Sequence, residues 1–596
     1  MNDPSLSASP LARQAARNLR TVEWLSENNT WRFAWFCRRD FWRTRRMMAV
    51  TPDEAAAWLP ALAFAVSCEK DASVLDEFAR QPLPEPLPPE TLPWRAALIR
   101  SWERQRAATS WGKTVRLSAL VRLDQRAERL PEWLREARRA LDLGWYDRRL
   151  RLAALAGWRP RPGDRPASGD IRKAVSQWVQ FWKKLYRAPG SHLDGLLAAT
   201  ALLHLAEAGW LPSGPSPERL REELRQRVQQ WTVSYQERSV LLMSLASFSA
   251  SSPSPEQQDI TSWLELTRED VDWDKRAAVW EMLAAWQREG VLERCGIDRE
   301  KLHELSLLPD LARALEWKDY SDVLIAMAGY VPVLAEVRAH PEAARAVVAR
   351  WEALSRGAFF GEVRQAAWVA RWNLRRAGVL TAEEQTRFGA DYKEAIGAEK
   401  SRAVLLALAQ ITPPGTFPLA IWTRRLSDQD DQCRLAARLA IHGWLVEVME
   451  GASGEWRIAS GSEANGEWRV VSGSSRLATR CSLLAITRRQ MRQVLRRAGQ
   501  EGTDAGTVTP FVNLPPEGWP DFRRLHEIET ALAAGQMPPP PDAAAENRAT
   551  PRTVPARLPE AHPRTGRPGI TGQTTSRTAG SDPKARHPFP EVIRHE

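Results

Sequence analysis

The sequence predicts an all-α fold: an irregular α-solenoid of stacked helix pairs with a disordered C-terminal tail. Three observations predict it. Apolar residues recur at helical spacing through most of the chain, with almost no strand-type alternation. An 18-residue stretch recurs after 88 residues, close to two units of a helix-pair repeat of about 40–47 residues. The chain also holds 28 Trp against 6 Tyr. An indole ring fills a wide helix–helix seam, and its N–H can reach a carbonyl at the edge.

Residues 10–80 read as an N-terminal helical unit that contains the most basic and aromatic segment of the chain, 31–46 (WRFAWFCRRDFWRTRR). On one continuous helix Arg32, Arg39, Arg43 and Arg46 fall at spacings of 7, 4 and 3, hence along a single stripe. Trp31, Trp35 and Trp42 form a neighbouring stripe. Such side-by-side stripes admit two arrangements. One is a groove edge in which arginines meet phosphates beside a stacking surface for exposed bases. The other is a buried aromatic face flanked by arginines whose stems cover it. Smaller mixtures of the same kind occur at 177–187 and 488–497.

A proline cluster at 81–93 leads into a repeat region, 94–450. Further clusters at 159–169, 211–217, 251–255 and 412–418 break helices by fixing φ and removing backbone donors. Between them lie apolar stripes such as Ile171, Val175, Trp178, Val179, Trp182 and Leu185. Another runs from Leu193 to Leu205 and ends at Gly209.

The internal echo pairs KRAAVWEMLAAWQREGVL (275–292) with VRQAAWVARWNLRRAGVL (363–380). Aligned without a gap, they share Arg276/Arg364, Ala278/Ala366, Trp280/Trp368, Arg288/Arg376, Gly290/Gly378, Val291/Val379 and Leu292/Leu380. Each matched residue has a mechanical use. Ala permits close helix approach, Trp fills the seam, and Gly ends the helix in the left-handed conformation so that Val-Leu can pack back. An acidic residue followed by Arg-x-Ala-Ala also recurs, in DRRLRLAA (147–154), GEVRQAA (361–367) and DDQCRLAA (430–437).

On these residues the chain resembles the HEAT-like helical-repeat family over roughly 95–445. The resemblance implies helix pairs stacked into a curved superhelix, and a concave face that binds a macromolecular partner. Trp280 and Trp368 are then expected in equivalent buried seams.

Two segments stand outside that pattern. Within 451–476, GEWRIASGS (454–462) repeats as GEWRVVSGS (466–474), which reads as a tandem insert between a helix ending near Trp444 and one starting near Leu483. C-terminal helices are expected over 477–535, and the Pro-rich, apolar-poor stretch 536–596 as a disordered tail.

No motif for catalysis carries its supporting context. Ala107-x-x-x-x-Gly112-Lys113-Thr114 fits a permissive phosphate-loop pattern, but what precedes it reads as an amphipathic helix rather than a buried strand. His192, His204, His303 and His442 are isolated within helical patterns, so no catalytic residue, cofactor or metal is assigned. Five scattered cysteines without a C-x-x-C pair fit a reducing cytoplasm. No run approaches the roughly 18 apolar residues of a membrane span.

The net charge of +11 is arginine-borne, with only 11 Lys among 84 basic residues. Arginine suits phosphates and acidic protein surfaces alike. The expectation is a non-enzymatic, cytoplasmic scaffold whose partner is a protein, with nucleic acid as the alternative ligand of Arg32, Arg39, Arg43, Arg46, Trp31, Trp35 and Trp42. Because the tandem segment offers no helix-packing face, deleting 452–476 with a short linker should leave the thermal unfolding midpoint nearly unchanged. A large drop in that midpoint would show that Trp456 or Trp468 packs into the helical stack.

Overall fold

The computed structural model describes residues 9–83, 88–124, 126–160, 169–211, 214–230, 273–288, 307–316, 321–332, 334–411, 417–455 and 522–538. Among them every regular element is helical, as the apolar spacing predicts. Gly290, residues 456–521 and the segment from 539 onward lie outside the described residues, as does most of the tandem insert.

The chain opens with α1 (Pro10–Glu27), α2 (Asn29–Phe33), α3 (Trp35–Met47) and α4 (Pro52–Ala56). A first array then stacks two rows. One row holds α5 (Leu59–Cys68) packed on α7 (Leu92–Arg104), then α9 (Leu130–Leu141) packed on α11 (Gly169–Arg187). The other, the inner row that meets α3 through α6, holds α6 (Ala72–Ala79), α8 (Ser110–Leu123), α10 (Trp145–Ala156) and α12 (His192–Glu207), followed by α13 (Pro217–Gln230). Across the proline-rich 81–93 segment α5 packs directly on α7 and α6 on α8, so the helices before and after it belong to one stack.

A second array repeats the plan. Its inner row is α14 (Trp273–Arg288), α16 (Ser321–Met327), α19 (Gly361–Arg376), α21 (Arg402–Leu408) and α23 (Asp431–Glu455). Its outer helices are α15 (Leu307–Glu316), α18 (Pro341–Gly357), α20 (Ala382–Ala398) and α22 (Leu419–Arg425), with α17 (Leu334–Ala339) against α18. The helix expected to end near Trp444 continues to Glu455. Finally α24 (Phe522–Ala533) returns to α1, burying Ile528 and Leu532 and pairing Arg524 with Glu23.

Local sequence explains where these helices start and stop. Thr51 with Glu54, and Thr381 with Glu384, close reciprocal capping boxes at α4 and α20. Ser9, Thr109 and Ser191 each accept an orphan amide of the first turn. Gly209 and Gly378 sit at φ +74° and +72°, where a side chain would be strained. Beyond them Trp210 N–H donates to Leu205 O (2.8 Å) and Val379 N–H to Leu374 O (3.0 Å). Those bonds close the helix end and turn the next apolar residue inward.

Inner-row helices run parallel. Arg148 meets Asp194 at the N-terminal ends of α10 and α12 (2.9 Å), and His204 meets Ala156 O at their C-terminal ends (3.0 Å). Likewise Ala72 lies 3.5 Å from where a Cβ on Gly112 would sit, while Arg122 donates to Ala79 O (3.0 Å) at the far ends of α6 and α8.

Tryptophan fills the seams. Trp280 is 0% and Trp368 is 1% exposed, so the aligned rings are both buried. Trp280 lies edge-on to Tyr330, and Trp368 packs against Phe388 and Tyr392. The expected indole hydrogen bond is missing at several of them. Among the described residues, Nε1 of Trp94, Trp133, Trp158, Trp182, Trp280 and Trp368 is buried with no acceptor, so these rings act chiefly as apolar filler. Trp280→Ala or Trp368→Ala should each cost about 3–5 kcal/mol of unfolding free energy. Urea titration checks this, and a cost below about 1 kcal/mol at either site would remove its seam role.

Candidate interaction surface

The basic aromatic segment does not form one helix. It breaks at Ala34, so α2 carries Trp31, Arg32 and Phe33 while α3 carries Trp35 onward. The single stripe of four arginines inferred from spacing is therefore split, and Arg32 points back to donate from Nε to Ser26 O (2.7 Å).

α3 is wedged between the two arrays, against α6 on one side and α19 and α21 on the other. Trp31 and Trp42 are core residues, 4% and 1% exposed, and Trp42 packs edge-on to Trp58 and Phe78. Trp35 alone of the three is at the surface, 39% exposed, with the Arg39 guanidinium over its ring. Arg39 also bonds Asp40 Oδ1 (3.1 Å).

Arg43 and Arg46 are consumed internally. Glu77 accepts Arg43 Nε at 3.1 Å and Arg46 Nε at 2.9 Å. Arg46 continues to Glu281 of the second array, which also meets Arg80 (3.4 Å), and Arg80 pairs with Asp76 (2.8 Å). Burial alone would raise the Glu77 carboxyl, but Arg46, Arg43 and Arg80 overcome that and hold it at about 2. Desolvation wins instead at Asp40 and Asp76, whose carboxyls are raised.

Polar side chains of α19 read the backbone of α3 and of the residues that follow it. Gln365 Nε2 donates to Asp40 O (2.9 Å) and Thr44 Oγ1 (2.7 Å). Asn373 Nδ2 donates to Met47 O (2.9 Å), and its Oδ1 accepts Ala49 N–H (2.7 Å). From the other side Gln81 Nε2 donates to Trp42 O (2.9 Å). These bonds at both ends show that α3 and α19 are parallel.

At two of its three occurrences, Arg364 and Arg434, the recurring arginine is a loop staple, whereas Arg151 of DRRLRLAA pairs with Glu136 (3.1 Å). Arg364 Nη1 donates to Ala358 O (2.6 Å) and Phe359 O (3.1 Å), while Nε and Nη2 grip both oxygens of Glu399 at 2.9 Å. Glu399 Oε1 in turn accepts Lys400 and Ser401 N–H at 2.9 and 2.8 Å. Arg38 does the same with Trp31 O, Arg32 O and Glu69, and Glu69 accepts the amides of Lys70 and Asp71. Arg434 reaches Asp428 O and Gln429 O in the same way. Sequence reading found the Arg364 and Arg434 motifs but not the one at Arg38, because Asp40 and Phe41 stand where Ala-Ala follows the arginine elsewhere.

No chemistry gathers at the other sequence leads. Gly112, Lys113 and Thr114 occupy the first turn of α8, where Thr109 Oγ1 takes the Gly112 amide and Thr114 Oγ1 donates to Ser110 O. His442 is stacked on Trp24 at 4.4 Å, and burial pushes its imidazole down to about 3, keeping it neutral. Among the described residues no group of three or more His, Cys, Asp or Glu is placed to hold a metal ion, and no helix is long and apolar enough to cross a membrane.

What remains open is an edge. Every exposed Phe and Trp among the described residues lies beside the N-terminal end of α3, α10 or α19: Phe33, the last residue of α2, and Trp35 at α3, Trp145 at α10, and Phe359 and Phe360 just before α19. These turns line one edge of the stack, because the inner-row helices are parallel. Leu141, in the turn before Trp145, adds to it.

No family model matches the chain, and no curated protein does. Among solved structures it is similar to the crystal structure of an engineered protein, at 15% identity and a TM-score of 0.26, covering 71% of this chain and 98% of that one. A likeness at that score carries no argument.

Arg43→Gln removes one of the two arginines bonded to the buried Glu77 and leaves Arg46 in place, so it should destabilise the fold by about 1.5–3 kcal/mol, the worth of a charged hydrogen bond. The acid limb provides a second check. The carboxyl of Glu77 is depressed from 4.5 to about 2, so its stabilisation is present above pH 4.5 and lost as pH falls towards 2. Asp40 and Asp76 contribute with the opposite sign, so the comparison is between parent and variant. Arg43→Gln should shrink the loss of stability between pH 4.5 and 2 seen in denaturant titrations. An unchanged acid limb with unchanged neutral stability would place Arg43 outside the joint.

Proposed function

We propose that this chain is a non-enzymatic, cytoplasmic HEAT-like repeat scaffold whose partner is a protein. The observation that carries the reading is the sorting of side chains. Arg43, Arg46 and Arg364, with Gln365 and Asn373, are consumed in holding helices and loops together, whereas the exposed Phe and Trp side chains collect on a single edge. Exposed apolar residues gathered in one region mark an interaction site more often than scattered ones do.

Binding through the concave face, as the resemblance implies, is favoured less at α6, α19 and α21, because α3 already lies there. The edge formed by the turns into the inner-row helices is the surface left for a partner. Nucleic-acid binding through the α3 arginines has little support, since Arg43 and Arg46 are paired with Glu77 and Trp42 is core.

The test is affinity purification of the full chain from its native cell, with half the sample treated with nuclease. The scaffold reading expects the same stoichiometric protein partner in both halves. A partner set that disappears on nuclease treatment, together with retention of single-stranded nucleic acid at moderate salt, would overturn it.

A further inference from the structure

We infer that Phe33, Trp35, Phe359 and Phe360 form one composite docking patch for a protein segment that carries apolar side chains next to carboxylates. This rests on the scaffold reading and names the partner's chemistry.

Contacts connect the two aromatic pairs. Trp35 lies edge-on to Phe36 with ring centroids 5.8 Å apart, and the Arg402 guanidinium lies 4.3 Å from the Phe36 centroid. Its neighbour Ser401 fills the space that a Cβ on Gly361 would need. Gly361 follows Phe360, which is edge-on to Phe359 at 5.2 Å. Because α3 and α19 are parallel and in register, both pairs face out at the same end.

The two halves also have the same construction. Phe33 is 84% and Phe359 is 89% exposed, and each lies five residues before the stapling arginine of its unit, Arg38 or Arg364. Each staple clamps carbonyls of the aromatic turn and is gripped by a glutamate of the adjoining loop. Residues held in place before binding lose less freedom when a partner arrives. Four aromatic rings on clamped turns are thus prepared contacts, with no need to order a loop.

Charge selects the partner. Arg39 and Arg402 both lean on the single buried carboxylate of Asp40, at 3.1 and 3.4 Å, and both remain partly exposed. The base of the patch therefore carries two guanidinium groups for one internal anion. Glu362 in the first turn of α19 offsets part of this, and Asp428, Asp430 and Asp431 mark the border towards α23. Carboxylates on the partner, placed over Arg39 and Arg402 with apolar groups on the rings, match this pattern.

The probe is a display library of random 12-residue peptides selected on the full chain, with the strongest binders synthesised and their Kd measured. The expected binders combine Phe, Leu or Trp with Asp or Glu, and bind more weakly as salt is raised. Phe359→Ser with Phe360→Ser, and separately Phe33→Ser, should weaken them about 30-fold, the size of an interface hot spot. These side chains are exposed, and an unchanged melting temperature will confirm that each variant folds. A single-stranded oligonucleotide and phosphatidylserine vesicles serve as parallel probes.

The inference is overturned if no peptide is selected, if the selected peptides bind parent and variants alike, or if only the oligonucleotide or the vesicles depend on these residues. The native partner separates the two levels. A protein retained by the Phe33 and Phe359/Phe360 variants leaves the scaffold reading standing and removes this patch, whereas nuclease-sensitive partners remove the scaffold reading itself.

Discussion

The architecture depends on the insertion of α3 between two helical arrays. A helix with five arginines in its last ten residues is costly to bury unless every charge finds a partner. Here Glu77 from the first array and Glu281 from the second both meet Arg46, so one guanidinium ties the arrays together. Buried ion pairs add little net stability over apolar packing, but a mismatched one is severely penalised. Their effect is to fix one register of α3 against α6 and α14, while Gln81, Gln365 and Asn373 fix the same register through backbone carbonyls.

That insertion changes the meaning of the most conspicuous segment in the chain. Arginine interleaved with tryptophan suits phosphate and base stacking, yet it equally suits a helix that presents rings to one neighbour and guanidinium groups to two others. The helix break at Ala34 and the carboxylates on α6 and α14 decide between them, and both are tertiary facts. The spacing of 31–46 contains the stripes but not the partners.

The fold was more legible than the site. Apolar spacing, the Gly378 helix stop and the echo between Trp280 and Trp368 all report on contacts between helices adjacent along the stack, and such contacts leave a periodic trace. The continuity of α5 and α6 with α7 and α8 left no such trace, because the prolines at 82–93 look like a boundary whether or not the flanking helices pack together. The Arg38 staple was hidden because Asp40 and Phe41 replace the Ala-Ala of the Arg-x-Ala-Ala pattern. Exposure of Phe33 and Phe359 is a property of turn position, and no residue type reveals it.

The central claim is that α3 is an integral layer of the structure. Hydrogen exchange of its backbone amides, followed by mass spectrometry under native conditions, tests this most directly. If α3 is locked between the arrays, amides of residues 39–47 will exchange as slowly as those of α19, and only through global unfolding. Rapid exchange of 39–47 while α6 and α19 stay protected would show a detachable surface helix and contradict the account.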